Sequence, residues 1–442
     1  MPGLRALKIL SALLTFGCIG VWYLTGSEAE PWSVLAGAHE SSRFQTLRAI
    51  AGAANEGYYF QVEPGIPMEN HWEDPGTGFL LVCLGLAKKT LGLGPLDAFK
   101  DPYRVELGVM LLVLCLIYFT KIFSPPQWYW AVTPLFFLMA TLPVIRMSDW
   151  GHTQISGLLS LGISARWAKV PAALWTFTLT LQLHQWWKEK TLLKFSRDKF
   201  AALFVSGVVY GIFISIRKDI YAAACLAIVG TLALLGRKKM GASLLILATL
   251  WAGAQVFPGV IHASWKIRDR VYSMKEFPRI WGHPTWHTLY AALGESIPGK
   301  KIRWGDEDAW NEVLNLPENK GLRYGSREHE RAARRLYLQT IARHPFAYAR
   351  GLARKAGILV KGKWKLAALN LVLFLLLFSK VPAHRSLYGV LLINTLAAAV
   401  VPILVIPDII YSNDFIAHNY LALLVGLGAL AFRRRQGPAL TA

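Results

Sequence analysis

Charge is what this sequence has least of. Only 17% of its 442 residues are Asp, Glu, Lys or Arg, against roughly 25% in a soluble domain. Hydrophobic residues make up 54%, and mean hydropathy is +0.35. One soluble core could not hide that much apolar surface, and several segments have the length a bilayer requires. Cysteine is scarce as well. Cys18, Cys83, Cys115 and Cys225 all lie inside apolar runs, so no disulfide framework or zinc site is implied, and they read as small packing residues. The absence of any Asn-x-Ser/Thr sequon leans toward a bacterial source. No nucleotide-binding glycine loop, internal repeat or low-complexity tract is present.

Acids are the rarer sign, 27 against 48 Lys and Arg, for a net charge of +21. The excess does not point to nucleic acid. Much of it sits in short blocks at the ends of apolar segments, at 188–199, 237–239 and 433–435, as the positive-inside rule expects of cytoplasmic loops. The remainder falls between about Trp265 and Lys355, where it could meet anionic headgroups or phosphates. The N-terminus (Arg5, Lys8, then Ile9 to Leu24) resembles a signal peptide but is expected to stay as an uncleaved first span.

Placing the N-terminus inside gives a topology that closes. The fold class expected is an all-α polytopic membrane protein with about ten transmembrane helices and a helical extracytoplasmic region. Residues 1–257 form a transmembrane module with a first outer loop at 26–104, 258–355 an outer helical lid docked on it, and 356–442 the C-terminal spans. Phe79–Leu93 and Ile155–Ala165 are short for a bilayer and read as helices lying at the outer interface; if both cross, the spans number about twelve. In the lid, Asp306 is expected to cap one helix. Ser326 is expected to cap a second, carrying Ala333, Leu336, Tyr337, Thr340 and Ile341 on one face and ending at His344-Pro345.

Four polar clusters could carry chemistry. Glu40, in His39-Glu40-Ser41-Ser42-Arg43, precedes an amphipathic run (Leu47, Ile50, Ala51) that can lie on the membrane surface. Its carboxylate could take a proton from an acceptor hydroxyl or amine, or simply pair with Arg43. His71-Trp72-Glu73-Asp74-Pro75-Gly76 ends at helix-stopping residues, so Glu73 and Asp74 could orient a substrate, or Asp74 or Thr77 could cap the next helix. Arg217-Lys218-Asp219 interrupts an apolar stretch at an insertion cost of about 2.5–3.5 kcal/mol per charge. A guanidinium beside an ammonium suits a phosphate or pyrophosphate, although a tight outer turn would also explain it. His283 and His287 share a face if one helix includes both, with Trp286 and Tyr290 as packing surface. No Glu follows His283 and no third ligand is evident, so metal is discounted. Hydrogen bonds to a sugar or phosphate, and an ordinary amphipathic helix, remain the alternatives. Asp306-Glu307-Asp308 reads as a helix start, not an ion site.

The layout of the first loop resembles the GT-C membrane glycosyltransferases, particularly the protein O-mannosyltransferase and lipid A aminoarabinose transferase branch. His39-Glu40-Ser41-Ser42-Arg43 is similar to that family's first acidic motif, with His39 in place of the usual first acid, and Trp72-Glu73-Asp74-Pro75 to its second. Arg146-Met147-Ser148-Asp149 resembles its Arg-x-x-Asp element, and Ile216-Arg217-Lys218-Asp219 its basic element at an outer helix end. The resemblance covers roughly the first half of the chain. It implies a GT-C-like fold and transfer of a sugar from a polyprenyl-phosphate donor to a glycan, lipid or protein acceptor. That site would lie on the outer face of a bacterial inner membrane, with Glu40 as base, Arg217 and Lys218 on the phosphate, and no cofactor. Three rivals stand beside it. His283 to Tyr290 with Leu293-Gly294-Glu295 is similar to the His-containing loop of O-antigen-ligase-like enzymes. A transporter or flippase would place charges near the midplane and show repeated halves, which this sequence does not. A non-catalytic assembly factor would have no use for Glu40.

Overall fold

The structure is a computed structural model that describes residues 2–28, 42–68, 75–98, 100–120, 122–123, 129–141, 169–191, 196–216, 218–236, 240–274, 285–297, 306–323, 326–380, 385–405 and 417–429. The described chain is mostly helical. Its elements are α1 (Pro2–Glu28), α2 (Ser42–Asn55), β1 (Gln61–Glu63), β2 (Ile66–Pro67), α3 (Pro75–Thr90), α4 (Lys100–Phe119), α5 (Tyr129–Thr141), α6 (Lys169–Lys188), α7 (Arg197–Ile216) and α8 (Lys218–Gly236). They continue with α9 (Met240–Ala254), α10 (Val256–Val271), α11 (Thr285–Ala291), α12 (Asp306–Leu314), α13 (Arg327–Arg343), α14 (Pro345–Lys380) and α15 (Arg385–Leu404), and α16 (Ala417–Ala429). Among the described residues, three helices are long and apolar enough to cross a membrane: α7, the 32-residue run Met240–Val271, and α15.

The largest core joins α1, α4 to α9 and α14 to α16 through residues such as Ile19, Leu114, Phe137, Trp175, Phe213, Leu250, Leu391 and Leu421. Several polar side chains within it bond one another or the backbone, which offsets their removal from water. Tyr210 donates to Thr176 Oγ1 at 3.1 Å, Tyr118 meets Ser11 at 2.8 Å and Thr15 at 2.9 Å, and Asn370 Nδ2 reaches Asn419 Oδ1 at 2.7 Å. The tightest crossing is between α7 and α9. A Cβ at Gly207 would lie 2.3 Å from the Leu250 carbonyl oxygen, and one at Gly253 2.3 Å from that of Phe204. Gly207 and Gly211 form the Gly-x-x-x-Gly spacing that lets helix backbones touch.

A second core gathers Leu47, Ile50, Ala51 and Ala54 of α2, Val62 and Met68 of and beside the hairpin, Phe79, Leu81 and Val82 of α3, Leu96, Val105, and Ile261 and Trp265 of α10. The amphipathic face of α2 therefore meets protein and not the membrane surface, because the hairpin, α3 and α10 close over it. α10 follows α9 with only Gln255 between them, in helical conformation at φ −79°, ψ −16°. The boundary expected at 258 thus falls inside a nearly continuous helix that runs from the membrane module into the first loop.

A buried ion cluster ties α3 to α4. Lys88 Nζ lies 2.8 Å from Asp101 Oδ2 and donates to the Pro95 carbonyl at 2.5 Å. The Asp97 N–H and Arg104 complete the shell of Asp101 at 2.7 and 2.5 Å. Burial pushes the Asp101 carboxyl up, but these bonds together outweigh it and hold it below the usual carboxylate range. A depressed folded value makes the associated stability present at neutral pH and lost as pH falls below about 4. Asp101→Asn leaves Lys88 buried beside a neutral partner and is expected to cost about 3–5 kcal/mol. Limited proteolysis of the 88–101 connection should accelerate in that variant at pH 7; an unchanged cleavage rate would contradict the cluster's role.

Candidate functional site

Residue α3 Gly76 closes the polar segment His71 to Gly76, and in the fold it touches the end of α7. A Cβ there would lie 2.6 Å from the Ser215 carbonyl carbon and 2.8 Å from the Ile216 nitrogen, so only glycine permits the approach. Two residues on, Gly78 faces Met68 Sδ at 2.8 Å and Ile50 Cδ1 at 3.1 Å, measured from the same constructed position. The Phe79 ring then stacks on Phe60 at 5.5 Å and meets Phe257 edge-on at 5.5 Å. One short helix is thereby fixed against α2, α7 and α10 at once.

These contacts bring together elements that carry three of the sequence-selected clusters. Ser42 and Arg43 open α2 just beyond Glu40-Ser41, Pro75 and Gly76 open α3 directly after Glu73 and Asp74, and Ile216 ends α7 directly before Arg217. Lys218 is the first residue of α8. Glu40, Glu73, Asp74, Arg146, Asp149, Arg217 and His283 lie outside the described residues.

α10 locks this assembly from the far side by contacts that sequence reading missed. Arg268, 2% exposed, donates Nη1 to the Phe60 carbonyl at 2.9 Å and bonds Asp269 through Nε and Nη2 at 3.0 and 2.6 Å. Phe60 has a φ of 60°, an uncommon conformation for a bulky residue. Tyr272 Oη donates to the Gly57 carbonyl at 2.5 Å and accepts from the Tyr59 N–H at 3.3 Å. These partners are more than 200 residues apart in sequence, so no local spacing announces them.

The outer helices behave as expected at α13 and differently at α11. Ser326 caps α13 by accepting the His329 N–H at 3.1 Å, His344 ends it, and Ala333, Tyr337 and Thr340 are buried. His287 is fully buried, with its ring 5.1 Å from that of His329, which Trp310 meets edge-on at 4.6 Å. The α11 helix starts at Thr285, and its Trp286 and His287 N–H groups donate to the two Glu330 carboxylate oxygens at 3.0 and 3.1 Å. His287 thus faces the core formed by Tyr290, Leu293, Val313 and Ala333, and the reading of it as an open sugar or phosphate ligand is replaced by a packing role. Burial, with a further push from His287, draws the His329 pKa down to about 4.

This outer unit docks on α14. Gly351 gives no room for a Cβ, which would lie 2.1 Å from the Ser296 carbonyl oxygen. Lys355, 1% exposed, donates to the Ala292 carbonyl at 3.0 Å and to that of Val405, beyond α15, at 2.6 Å. Burial lowers its pKa to about 8, with Glu295 pulling up and Arg354 pushing down. Among the described residues no group of three His, Cys, Asp or Glu could hold a metal ion.

No protein-family model, no curated protein and no solved structure matches this chain.

A depressed His329 value means the unfolded chain takes up a proton that the fold excludes between about pH 6.5 and 4. The outer unit should therefore lose stability as pH falls through that window. Hydrogen exchange of the 326–343 peptide should rise from pH 7 to pH 5 after correction for intrinsic rates, and His329→Gln should flatten that rise. An equally steep rise in the variant would assign the loosening to another group.

Proposed function

We propose that this protein transfers a sugar from a polyprenyl-phosphate donor to an acceptor at the outer face of the membrane. The observation that carries the reading is the contact of Gly76 with Ser215 and Ile216. It draws the chain that ends the acidic segment up to the chain that leads into Arg217-Lys218. α2 packs on the same helix through Ile50 and Gly78, so the helix that follows Glu40 belongs to the same packed unit.

The chemistry follows from the residue types. Glu40 accepts the proton of an acceptor hydroxyl or amine as that group attacks the anomeric carbon. The bond from that carbon to the phosphate oxygen breaks, and the polyprenyl phosphate leaves with its electron pair. Arg217 and Lys218 meet the growing charge on the phosphate with fixed donors. Arg43, Glu73, Asp74, Arg146 and Asp149 orient donor and acceptor around that axis. A GT-C-like fold of about ten spans, in a bacterial inner membrane with the site outward, belongs to the same proposal. The described span-length helices and the polar pairing among buried helix residues support a membrane setting. Burial of His287 against His329 counts against that residue as the accessible histidine of the ligase-like alternative.

The test is native mass spectrometry of the detergent-purified protein. Wild type should carry a polyprenyl-phosphate sugar, Glu40→Gln should retain or accumulate it, and Arg217→Ala should lose it. Transfer in Glu40→Gln should drop about 10²-fold or more. If no such lipid is found, or both variants carry it at the wild-type level, the transferase site is wrong.

A further inference from the structure

Two neighbouring helices of the membrane module are held apart by what each is packed on. Glycines draw α9 onto α7, backbone to backbone, at Gly207, Gly211 and Gly253. α8 leans instead on α15: a Cβ at Gly230 would lie 2.6 Å from Ile393 Cγ2, and one at Gly389 2.6 Å from Leu234 Cδ2. The space left between α8 and α9 is an open groove of about 370 Å³. Cys225 and Ile228 form one wall, Leu247, Leu250 and Trp251 the other, and Tyr210 of α7 the floor.

The groove suits a hydrocarbon chain. The Tyr210 hydroxyl is already bonded to Thr176 of α6 at 3.1 Å, and aliphatic side chains, one indole and one thiol make up the walls. Its rim is apolar as well: Leu226 and Val229 on α8 and Leu244 and Trp251 on α9 are all exposed, Trp251 by 61%. α7 and the run that contains α9 are of membrane length, and a rim of this kind on such helices meets lipid chains and not water. A chain gains little by leaving lipid that is equally apolar; it gains by giving the groove walls the dispersion partners they lack.

The position of the groove says what the chain is attached to. Arg217 and Lys218 stand where α7 ends and α8 begins. Tyr210 lies seven residues before Arg217, and Cys225 seven after Lys218, so the groove opens about 10 Å along both helices from these cations, roughly two isoprene units. We propose that it holds the isoprenyl chain of a lipid phosphate from about the third unit onward, and so reads chain length. With the phosphate at Arg217 and Lys218, the first two units cover the drop and the next lie between α8 and α9. That the chain is isoprenyl rests on the transferase reading; that the groove takes one hydrocarbon chain rests on its shape and lining.

The experiment titrates full-length protein in mild detergent with decaprenyl phosphate and, separately, with the two-unit geranyl phosphate, reading occupancy by native mass spectrometry. Cys225→Phe fills the groove from one wall, Leu247→Phe from the other should the first fail to fold, and Cys225→Ala leaves it open. The filled groove should bind decaprenyl phosphate about tenfold more weakly, on the scale of the dispersion contacts that a few chain carbons would lose. Wild type should prefer decaprenyl to geranyl phosphate, Cys225→Phe should narrow that preference, and Cys225→Ala should keep it. Decaprenyl phosphate binding at the wild-type level in both filled variants, an unchanged preference between the two lipids, or no binding of decaprenyl phosphate to wild type would each overturn the proposal. Stronger binding of a diacyl phosphatidic acid than of decaprenyl phosphate would overturn the isoprenyl occupant. If the filled variants bind normally while Arg217→Ala loses the lipid and Glu40→Gln loses transfer, the groove is wrong and the transferase reading stands. If the filled variants lose the lipid while Glu40→Gln transfers at the wild-type rate, the reverse holds.

Discussion

The end of α7 and the start of α3 meet backbone to backbone at Gly76, with no side chain between them. The hairpin, α2, α3 and α10 pack around that contact. α3 cannot rotate without driving Phe79 out from between Phe60 and Phe257, and it cannot slide without breaking the Lys88–Asp101 pair at its far end. The hairpin is in turn held by Arg268 and Tyr272 from α10, a helix that is nearly continuous with a membrane-length span. A short helix fixed at both ends is a precise support for a site, since positions on rigid elements hold geometry better than positions on loops.

Cations are used in this low-charge chain as internal fasteners. Lys88, Arg268 and Lys355 are all nearly inaccessible, and each donates to a backbone carbonyl of another segment. Lys88 and Arg268 also have a carboxylate partner, which limits the penalty of burying charge. Lys355 bonds two carbonyls instead, and its lowered pKa reflects that burial. By joining Ala292 to Val405 it ties the helical unit at 285–343 to the end of α15, consistent with a unit of about ninety residues being expected to dock and not stand alone.

The legible parts of the sequence were those governed by local rules. Ser326 caps α13 and His344 ends it because capping and apolar period act within a few residues. The apolar face of α2 was equally readable, but not what it would meet: the period gives a face, and only the tertiary fold gives its partner. The surroundings of His287 were hidden for the same reason. His287 looked available until His329 and Glu330, more than forty residues later, enclosed it. The Gly207-x-x-x-Gly211 crossing did carry a local signal, one that composition-level reading passes over. Nothing in the spacing around residues 71–78 announced that Gly76 would be the point of contact between α3 and α7.

Convergence of those segments on one phosphate is tested most directly by hydrogen exchange of the wild-type protein with and without decaprenyl phosphate. Peptides covering 71–78 and 213–219 should gain protection together and at the same lipid concentration, with 285–297 unaffected. Protection of only one of the two peptides, or of 285–297 in their place, would contradict a single site built on the contact between α3 and α7.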